Sequence, residues 1–316
     1  MSSLKVPCVF QGWKRNSWML PMLVAVVLLG VAVSAFVMSD KERATMGYLR
    51  VERAWANHWP LVRGKGVLAR FRPLMYKIGT LKSVRAEIEP GVSLLLDPRD
   101  WIGSRILVDR EWEPRTWQAI SNGLPVGAIF LDVGAHIGYF AIKSAVKVGK
   151  GGQVVAFEPN PNTLRLLREN VAASNAANVI IQPIACTDRE QMLTLYEGPA
   201  TNIGDSSLSR KNAELESESP PPFFTVRGRA IDDVVRELRL RRVDVVKVDV
   251  EGAEYNVVRG ARETLKRFQP KLILEMNPQL LSNMQTKVDD LIFLIKEIGY
   301  NRSRHLEKYN WEWAVE

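Results

Sequence analysis

The amino-acid sequence predicts an α/β fold built on a doubly wound, mostly parallel sheet. Residues 126–160 read as a buried strand, a turn containing glycines, a helix and a second buried strand, which together form a βαβ unit. Four predicted strands along the chain end at an acidic residue: Asp132, Glu158, Asp249 and Glu275. Each acid alone could cap the following helix. In an open α/β sheet, however, the carboxyl ends of the strands form the ligand crevice, so the pattern also predicts where the site lies.

Length and charge limit the possible functions. A chain of 316 residues holds one large domain and an N-terminal appendage. The formal net charge is +8, and residues 1–80 contain 12 Lys and Arg residues against 3 Asp and Glu residues. The basic charge therefore belongs to the N-terminal part, and no nucleic-acid substrate is expected, because such a domain should itself carry a basic face. Cys8 and Cys186 are too few for a disulfide framework or a cysteine-based zinc site.

The N-terminal part predicts a membrane anchor. After a short segment, residues 1–18, the twenty residues 19–38 carry no charge, which is long enough for a transmembrane helix or signal anchor. A cleavable signal peptide is the alternative, with residues 33–35 as its cleavage site. Residues 39–80 form a basic juxtamembrane connector that would rest on anionic lipid head groups. The excess of Lys and Arg after the helix places the following domain on the cytoplasmic side of a single-pass membrane protein.

The predicted catalytic domain spans residues 81–300, and residues 301–316 are expected to be a C-terminal tail. Apolar runs and turn residues predict strands at 83–89, 92–96, 128–131, 153–157, 178–184, 223–229, 243–248 and 271–274. Helical periodicity and capping residues predict helices at 113–122, 139–148, 163–174 and 231–238. Residues 198–222 are rich in Gly, Ser, Glu and Pro and are predicted to be a mobile surface loop or lid.

The turn of the βαβ unit differs from a dinucleotide-binding loop. Gly134 and Gly138 allow a tight turn, but the pattern G-x-G-x-x-G would need glycines where the chain has His136 and Tyr139. A pyrophosphate is therefore disfavoured, and the carboxylate of Asp132 at the strand end would repel a phosphate.

S-adenosylmethionine fits the acidic strand ends better than a phosphorylated cofactor. It has no phosphate, carries an α-ammonium group and offers two ribose hydroxyls, and Glu158 can accept a hydrogen bond from both hydroxyls. The alternative is a Rossmann-like loop whose glycines are merely structural.

Asp249 and Glu251 are the candidate catalytic pair. They lie two residues apart after a predicted strand, so in an extended chain their side chains would project to the same side. Either acid could take the proton of an attacking hydroxyl or orient it, and His136 is the alternative base because an imidazole is well suited to proton transfer near neutral pH. The same two carboxylates could instead hold a divalent cation. No third ligand is evident, so no metal is assigned.

Several motifs together resemble the FkbM-type methyltransferases: FLDVGAHIGYF, VVAFEPNP, and IDDVV followed by VVKVDVEGAEYNVVRGA. The resemblance covers about residues 85–278. It implies a Rossmann-like class I methyltransferase fold, with a seven-stranded sheet whose last strand is antiparallel, and S-adenosylmethionine as the cofactor. The family often has Asn at position 136, where this chain has His.

The resemblance also implies a set of cofactor-binding residues. Asp132, Gly134 and Gly138 would line the methionine end, Glu158 would hold the ribose, and Asp188 would lie near the adenine. The full candidate set is Asp132, Gly134, Ala135, His136, Gly138, Glu158, Asn160 and Asp188.

Anchor and motifs together predict a membrane-anchored O-methyltransferase. Its acceptor would be a hydroxyl of a glycan, a glycolipid or a lipid-linked precursor, because the anchor would hold the enzyme beside such molecules. Two alternatives stay open: a protein or small-molecule methyltransferase whose pocket is shaped by residues 198–222, and a membrane-tethered cofactor-binding module without catalysis.

Overall fold

The computed structural model describes residues 45–51, 83–199, 202–215 and 219–315. The predicted transmembrane helix at 19–38 lies outside the described residues, as do the segment 1–18 and most of the connector. Within the described ranges, no helix is both long and apolar enough to cross a bilayer. Two compact units divide the chain, residues 1–84 with 97–99 and residues 85–96 with 100–316. In the first unit, residues 45–51 are helical; the second unit contains the sheet and the candidate site.

Twelve strands are present among the described residues: β1 Val84–Glu89, β2 Val92–Leu96, β3 Ile129–Val133, β4 Gln153–Phe157, β5 Val179–Gln182, β6 Ala185–Cys186, β7 Gln191–Tyr196, β8 Phe223–Arg229, β9 Val245–Val248, β10 Lys271–Glu275, β11 Arg302–Glu307 and β12 Asn310–Ala314. The α-helices are α1 Trp101–Asp109, α2 Pro114–Asn122, α3 Tyr139–Val148, α4 Pro161–Ala173, α5 Arg210–Ala213, α6 Ile231–Glu237, α7 Glu254–Gly260, α8 Arg262–Phe268, α9 Pro278–Asn283 and α10 Val288–Ile298.

The main sheet has seven strands in the order β11-β12-β10-β9-β3-β4-β5. Strands β5, β4, β3, β9 and β10 run parallel to one another. Strand β12 is antiparallel to both of its neighbours, β10 and β11. The predicted Rossmann-like, seven-stranded and mostly parallel sheet with an antiparallel last strand is therefore confirmed.

The central strands are buried on both faces, which explains why they read as continuous apolar runs. All four residues of β9 are buried, and Phe130, Leu131 and Val133 of β3 are at most 1% exposed. Apolar residues of α7 and α10, such as Val257 and Ile295, pack in the same core cluster as β3 and β9. This rigid centre fixes the positions of the loops at the carboxyl ends of the strands.

One prediction of the fold is wrong. Residues 301–316 are not a tail, because β11 and β12 form one edge of the main sheet and pair with β10 through β12. The strand predicted at 178–184 is confirmed as β5, which ends at Gln182, and the following β6 belongs to a three-stranded sheet with β8 and β7. The strands predicted at 83–89 and 92–96 form as β1 and β2 and pair with each other.

The predicted lid at 198–222 contains regular structure in its described part. A 3₁₀ turn covers Ile203–Asp205, and α5 follows it. Beyond that turn, the hydroxyl of Ser207 donates to the carbonyl oxygen of Glu251 over 2.7 Å, and Nδ2 of Asn212 donates to the same oxygen over 2.8 Å. This segment is therefore held against the loop that follows β9.

Candidate active site

Asp132 lies within β3, one residue before the end of the strand, where the sequence analysis expected the strand to end. Its register partners are Ala156 on β4 and Lys247 on β9, and its side chain is 0% exposed. Neither carboxylate oxygen has a hydrogen-bond partner among the described residues. Burial raises the pKa of this carboxyl to about 7, with Lys247 opposing the shift. Asp132 is thus a buried charge beneath the site, and it does not line the cavities described below.

Gly134 and Gly138 both adopt positive φ angles, +84° and +93°. A Cβ atom on Gly134 would lie 1.8 Å from the carbonyl oxygen of Asp249, and one on Gly138 would lie 2.7 Å from Cδ1 of Leu167. Both glycines are therefore required by backbone conformation and packing. Gly134 also borders the two cavities of the site.

Glu158 follows β4 and holds the turn after β3 in place. Its Oε2 atom accepts the backbone N–H of His136 over 2.8 Å, while Oε1 accepts the N–H of Asn160 and the hydroxyl of Thr163. Burial raises the pKa of the Glu158 carboxyl, and the nearby His136 and these donors act against that shift. His136 has a positive φ of 52°, and its Nε2 atom is buried without a partner among the described residues.

The structure gives Asn160 and Asp188 different surroundings from those expected. Asn160 caps α4 with its side-chain oxygen, and its amide nitrogen donates to Glu197 and Ser206, so the side chain is fully used within the protein. Asp188 forms ion pairs with Arg189 and Arg259 and lines a separate cavity. It is therefore not brought to the cavity that contains Glu158.

Two cavities meet at the carboxyl ends of β3 and β9. The smaller one contains Glu158 and has apolar walls that include Phe157, Ile184 and Leu195. The larger one, of about 900 Å³, opens over Lys247. The residues that border both cavities are Gly134, His136, Gly204, Asp249 and Glu251. No Lys or Arg occurs among the described residues of the smaller cavity. Its apolar walls and acceptor carboxylates fit a nucleoside with free ribose hydroxyls better than a phosphorylated one.

Asp249 and Glu251 are brought together, but not by the extended chain that the sequence analysis assumed. Strand β9 ends at Val248, and Glu251 lies in a turn with a φ of 55°. Asp249 accepts a hydrogen bond from Nζ of Lys247 over 2.9 Å and is 27% exposed at its side chain. The position of Glu251 between the two cavities therefore comes from a turn and not from an extended strand.

Lys247 is a site residue that the sequence analysis missed. It is 2% exposed although it carries a charge. Burial lowers its pKa, but the carboxylates of Asp249 and Asp132 outweigh that effect, so the pKa is raised and the lysine stays charged. The available signal was a lysine inside the apolar strand VVKV, because buried strands rarely carry an unpaired charge.

Glu275, the last residue of β10, completes a group of acids with Asp249 and Glu251. One carboxylate oxygen from each of the three lies within 4.8 Å of the other two. Glu113 also lines the larger cavity, and burial followed by repulsion from Asp249 raises its pKa to about 7. These residues come from three separate chain segments, so local sequence patterns could not assemble them.

Aromatic side chains also line the larger cavity. Trp101 is 49% exposed and Tyr309 is 46% exposed. Trp112 lines the same cavity, and Nζ of Lys308 lies 4.3 Å from the centroid of its ring. The cavity thus combines carboxylate acceptors with flat apolar surfaces.

Comparisons with known proteins identify relatives of the chain. The model of the "Methyltransferase FkbM domain" family matches residues 132–302. The AMB antimetabolite synthetase AmbE of Pseudomonas aeruginosa is 29% identical over 209 residues, which are 57% of this chain and 10% of that protein. The 2-O-methyltransferase NoeI of Sinorhizobium fredii is 26% identical over 149 residues, which are 44% of this chain and 59% of NoeI. The chain thus spans less than two thirds of either relative.

Two further matches carry methyltransferase names. The hexuronic acid methyltransferase AglP of Haloferax volcanii is 29% identical over 144 residues, 44% of this chain and 52% of AglP. A solved structure, the methyltransferase FkbM from Methylobacillus flagellatus, is 15% identical with a TM-score of 0.40 and covers 83% of this chain and 58% of that one.

Proposed function

The chain belongs to the FkbM family of S-adenosylmethionine-dependent methyltransferases, and we propose that it methylates a hydroxyl of a glycan, a glycolipid or a lipid-linked precursor. One observation carries the proposal: Asp249 and Glu251 border both the cavity of Glu158 and the larger cavity. A methyl donor in the first cavity and a hydroxyl in the second would meet at these acids.

Asp249 is the proposed base. Its carboxylate is open to the larger cavity, and the hydrogen bond from Nζ of Lys247 fixes its position there. When bound, S-adenosylmethionine supplies an activated methyl group and a neutral thioether as leaving group. Asp249 orients the acceptor hydroxyl and takes its proton as the new O–C bond forms. His136, whose Nε2 atom has no partner among the described residues, remains the second candidate base.

Glu158 is the proposed partner of the ribose hydroxyls. It already accepts three hydrogen bonds from the protein, and a carboxylate offers about four acceptor positions, so it can still bind a hydroxyl. Gly134, Ala135 and His136 would line the methionine end. We assign Asn160 a supporting position behind the ribose, because its side chain is already used as a cap.

The acceptor class is supported by the larger cavity and by two relatives. A sugar presents hydroxyls on its rim and apolar faces, which match carboxylates such as Glu275 and rings such as Trp101 and Tyr309. NoeI is described as a 2-O-methyltransferase and AglP as a hexuronic acid methyltransferase. We extend the proposal to the membrane because residues 19–38 are apolar and followed by basic residues, which would leave the domain on the cytoplasmic side.

Isotope labelling tests the reaction. The full chain is incubated with a deuterated-methyl donor and with separated membrane lipids, glycans, proteins and small metabolites, and products are identified by mass spectrometry. We expect label on a sugar or lipid-linked hydroxyl. Label found only on proteins or soluble metabolites would mean that the acceptor is a protein or a small molecule, and not a glycan or lipid.

An Asp249→Asn variant tests the base. We expect turnover to be abolished while calorimetry still detects S-adenosylhomocysteine binding. The matched control is Asp233→Asn at an exposed ion pair with Arg236, which should leave turnover unchanged. Wild-type rates in Asp249→Asn would remove Asp249 from the mechanism, and failure of the wild type to bind the cofactor product would remove the proposed function.

Deletion of residues 1–38 tests the anchor. We expect the full chain to sediment with membranes and the truncated chain to lose that association but keep cofactor binding. Equal sedimentation of both chains would place membrane attachment elsewhere.

A further inference from the structure

Three carboxylates converge where the acceptor cavity meets the ends of β9 and β10. Asp249 and Glu251 come from the loop after β9, and Glu275 is the last residue of β10. Their nearest oxygen atoms lie within 4.8 Å of one another. All three side chains face the larger cavity, so a small ligand entering it would reach them together.

The hydrogen bonding of these acids is incomplete. Nearby Glu254 is also buried, but its Oε1 atom accepts the backbone N–H groups of Val250 and Gly252. By contrast, the Oε2 atom of Glu275 is buried and has no donor among the described residues. A buried carboxylate oxygen without a donor is costly, so Glu275 points to a partner that the described part of the chain does not supply.

The charges around the three acids are also unbalanced. Lys247 is the cation that contacts the group, and it donates to Asp249. Among the described residues, neither Glu251 nor Glu275 forms an ion pair, although both lie beside Asp249. The repulsion between carboxylates this close is relieved either by shared protons or by a bound cation.

We propose that Asp249, Glu251 and Glu275 bind one divalent cation, Mg²⁺ or Mn²⁺, at the acceptor end of the site. Carboxylate oxygens without histidine or cysteine are the donors that these hard ions prefer. The cation would leave positions for water and for an acceptor oxygen from the larger cavity. The inference rests on the proposed function in this respect: a metal-bound hydroxyl loses its proton more readily, which assists O-methylation.

Mn²⁺ binding to the full chain tests the site without any turnover assay. Free Mn²⁺ is followed by electron paramagnetic resonance during titration of the wild type and of Glu275→Gln and Glu251→Gln. We expect the wild type to bind one Mn²⁺, Mg²⁺ to displace it, and each variant to bind at least about tenfold more weakly. The control is Glu297→Gln, which removes an exposed acid paired with Arg262 and should not change the affinity.

Thermal unfolding gives a second measurement. Mg²⁺ should raise the midpoint temperature of unfolding of the wild type and of Glu297→Gln, but not that of Glu275→Gln or Glu251→Gln. Absence of stoichiometric Mn²⁺ binding in the wild type, or equal affinity in Glu275→Gln, would overturn the site and leave shared protons as the explanation.

Binding of S-adenosylhomocysteine with a chelator present separates the two proposals. Cofactor-product binding without any Mn²⁺ binding would end the metal inference and leave the methyltransferase proposal intact. Mn²⁺ binding without cofactor-product binding would support the cation site and remove the proposed function.

Discussion

Asp132 provides a quantitative test of the electrostatics beneath the site. Its carboxylate is fully buried in β3, and both oxygens lack partners among the described residues. Burial raises its pKa from an ordinary 3.8 to about 7. Asn has nearly the same shape but does not titrate, so Asp132→Asn isolates the protonation of this one group.

The sign and size of the effect follow from linkage. A folded-state pKa above the unfolded value means that the folded protein binds the proton more tightly. The resulting stabilisation is fully present below about pH 4 and is lost as the pH rises through about 7. With pKa values of 3.8 and about 7, the contribution falls by about 2.5 kcal/mol between pH 5 and pH 8.

Urea unfolding of the full chain, followed by circular dichroism with a chelator present, measures this change. We expect the free energy of unfolding of the wild type, relative to Asp132→Asn, to fall by about 2.5 kcal/mol from pH 5 to pH 8. Asp289→Asn makes the same chemical change at an exposed acid on α10, and its difference from the wild type should stay constant. A constant difference for Asp132→Asn as well would refute a raised pKa at this position.

Three further changes test the packing around the site. Lys247→Met removes the buried partner of two carboxylates and should lower the free energy of unfolding by about 3 kcal/mol; an unchanged urea midpoint would contradict the ion pair. Gly134→Ala places a methyl group 1.8 Å from a backbone oxygen at a φ of +84°, and should cost about 4 kcal/mol or more. Its control Gly299→Ala has a φ of +119° and no atom within 4 Å, and should cost about 1 kcal/mol, so equal losses would refute the contact. Burial raises the pKa of the Cys186 thiol, so in a Cys8→Ser background a thiol reagent at pH 8 should react far more slowly with the native chain than with the urea-unfolded chain; equal rates would contradict its burial.

The elements of the βαβ unit were predictable because their signals are local. The bounds of α3 and β4 match the predicted 139–148 and 153–157. Parallel strands covered on both faces read as short apolar runs, and the glycines before and after α3 mark its ends. The same reasoning identified the strand ends at Glu158 and Asp249.

The far edge of the sheet was not predictable from local signals. The first four residues of β11 are exposed, and its sequence RSRHLE has no apolar alternation. It forms a strand because β12 pairs with it and then with β10, across a large separation in sequence. Pairing of this kind depends on tertiary context, which the pattern of one segment does not contain.

The directions in which the acidic side chains point were also not predictable from the sequence. Asp132 and Glu275 both belong to strands, yet the first lies beneath the site and the second lines the larger cavity. Glu251 reaches the same cavity only because its φ is positive, and non-glycine residues rarely adopt that conformation. Strand periodicity correctly predicted that Asp249 and Glu251 lie close together, but it attributed this to an extended chain and not to the turn at Glu251.

The acids at the strand ends fall into two groups whose negative charge is compensated in different ways. Asp132 is buried beside Lys247, so its charge is compensated by a fixed cation or removed by a proton. Glu251 and Glu275 face the open cavity, where an ion from solution can reach them. Mg²⁺ should therefore raise the unfolding midpoint of Asp132→Asn, in which all three proposed cation ligands are present, but not that of Glu275→Gln. If Mg²⁺ instead affects the two variants alike, the division into a buried charge and a cation site is wrong.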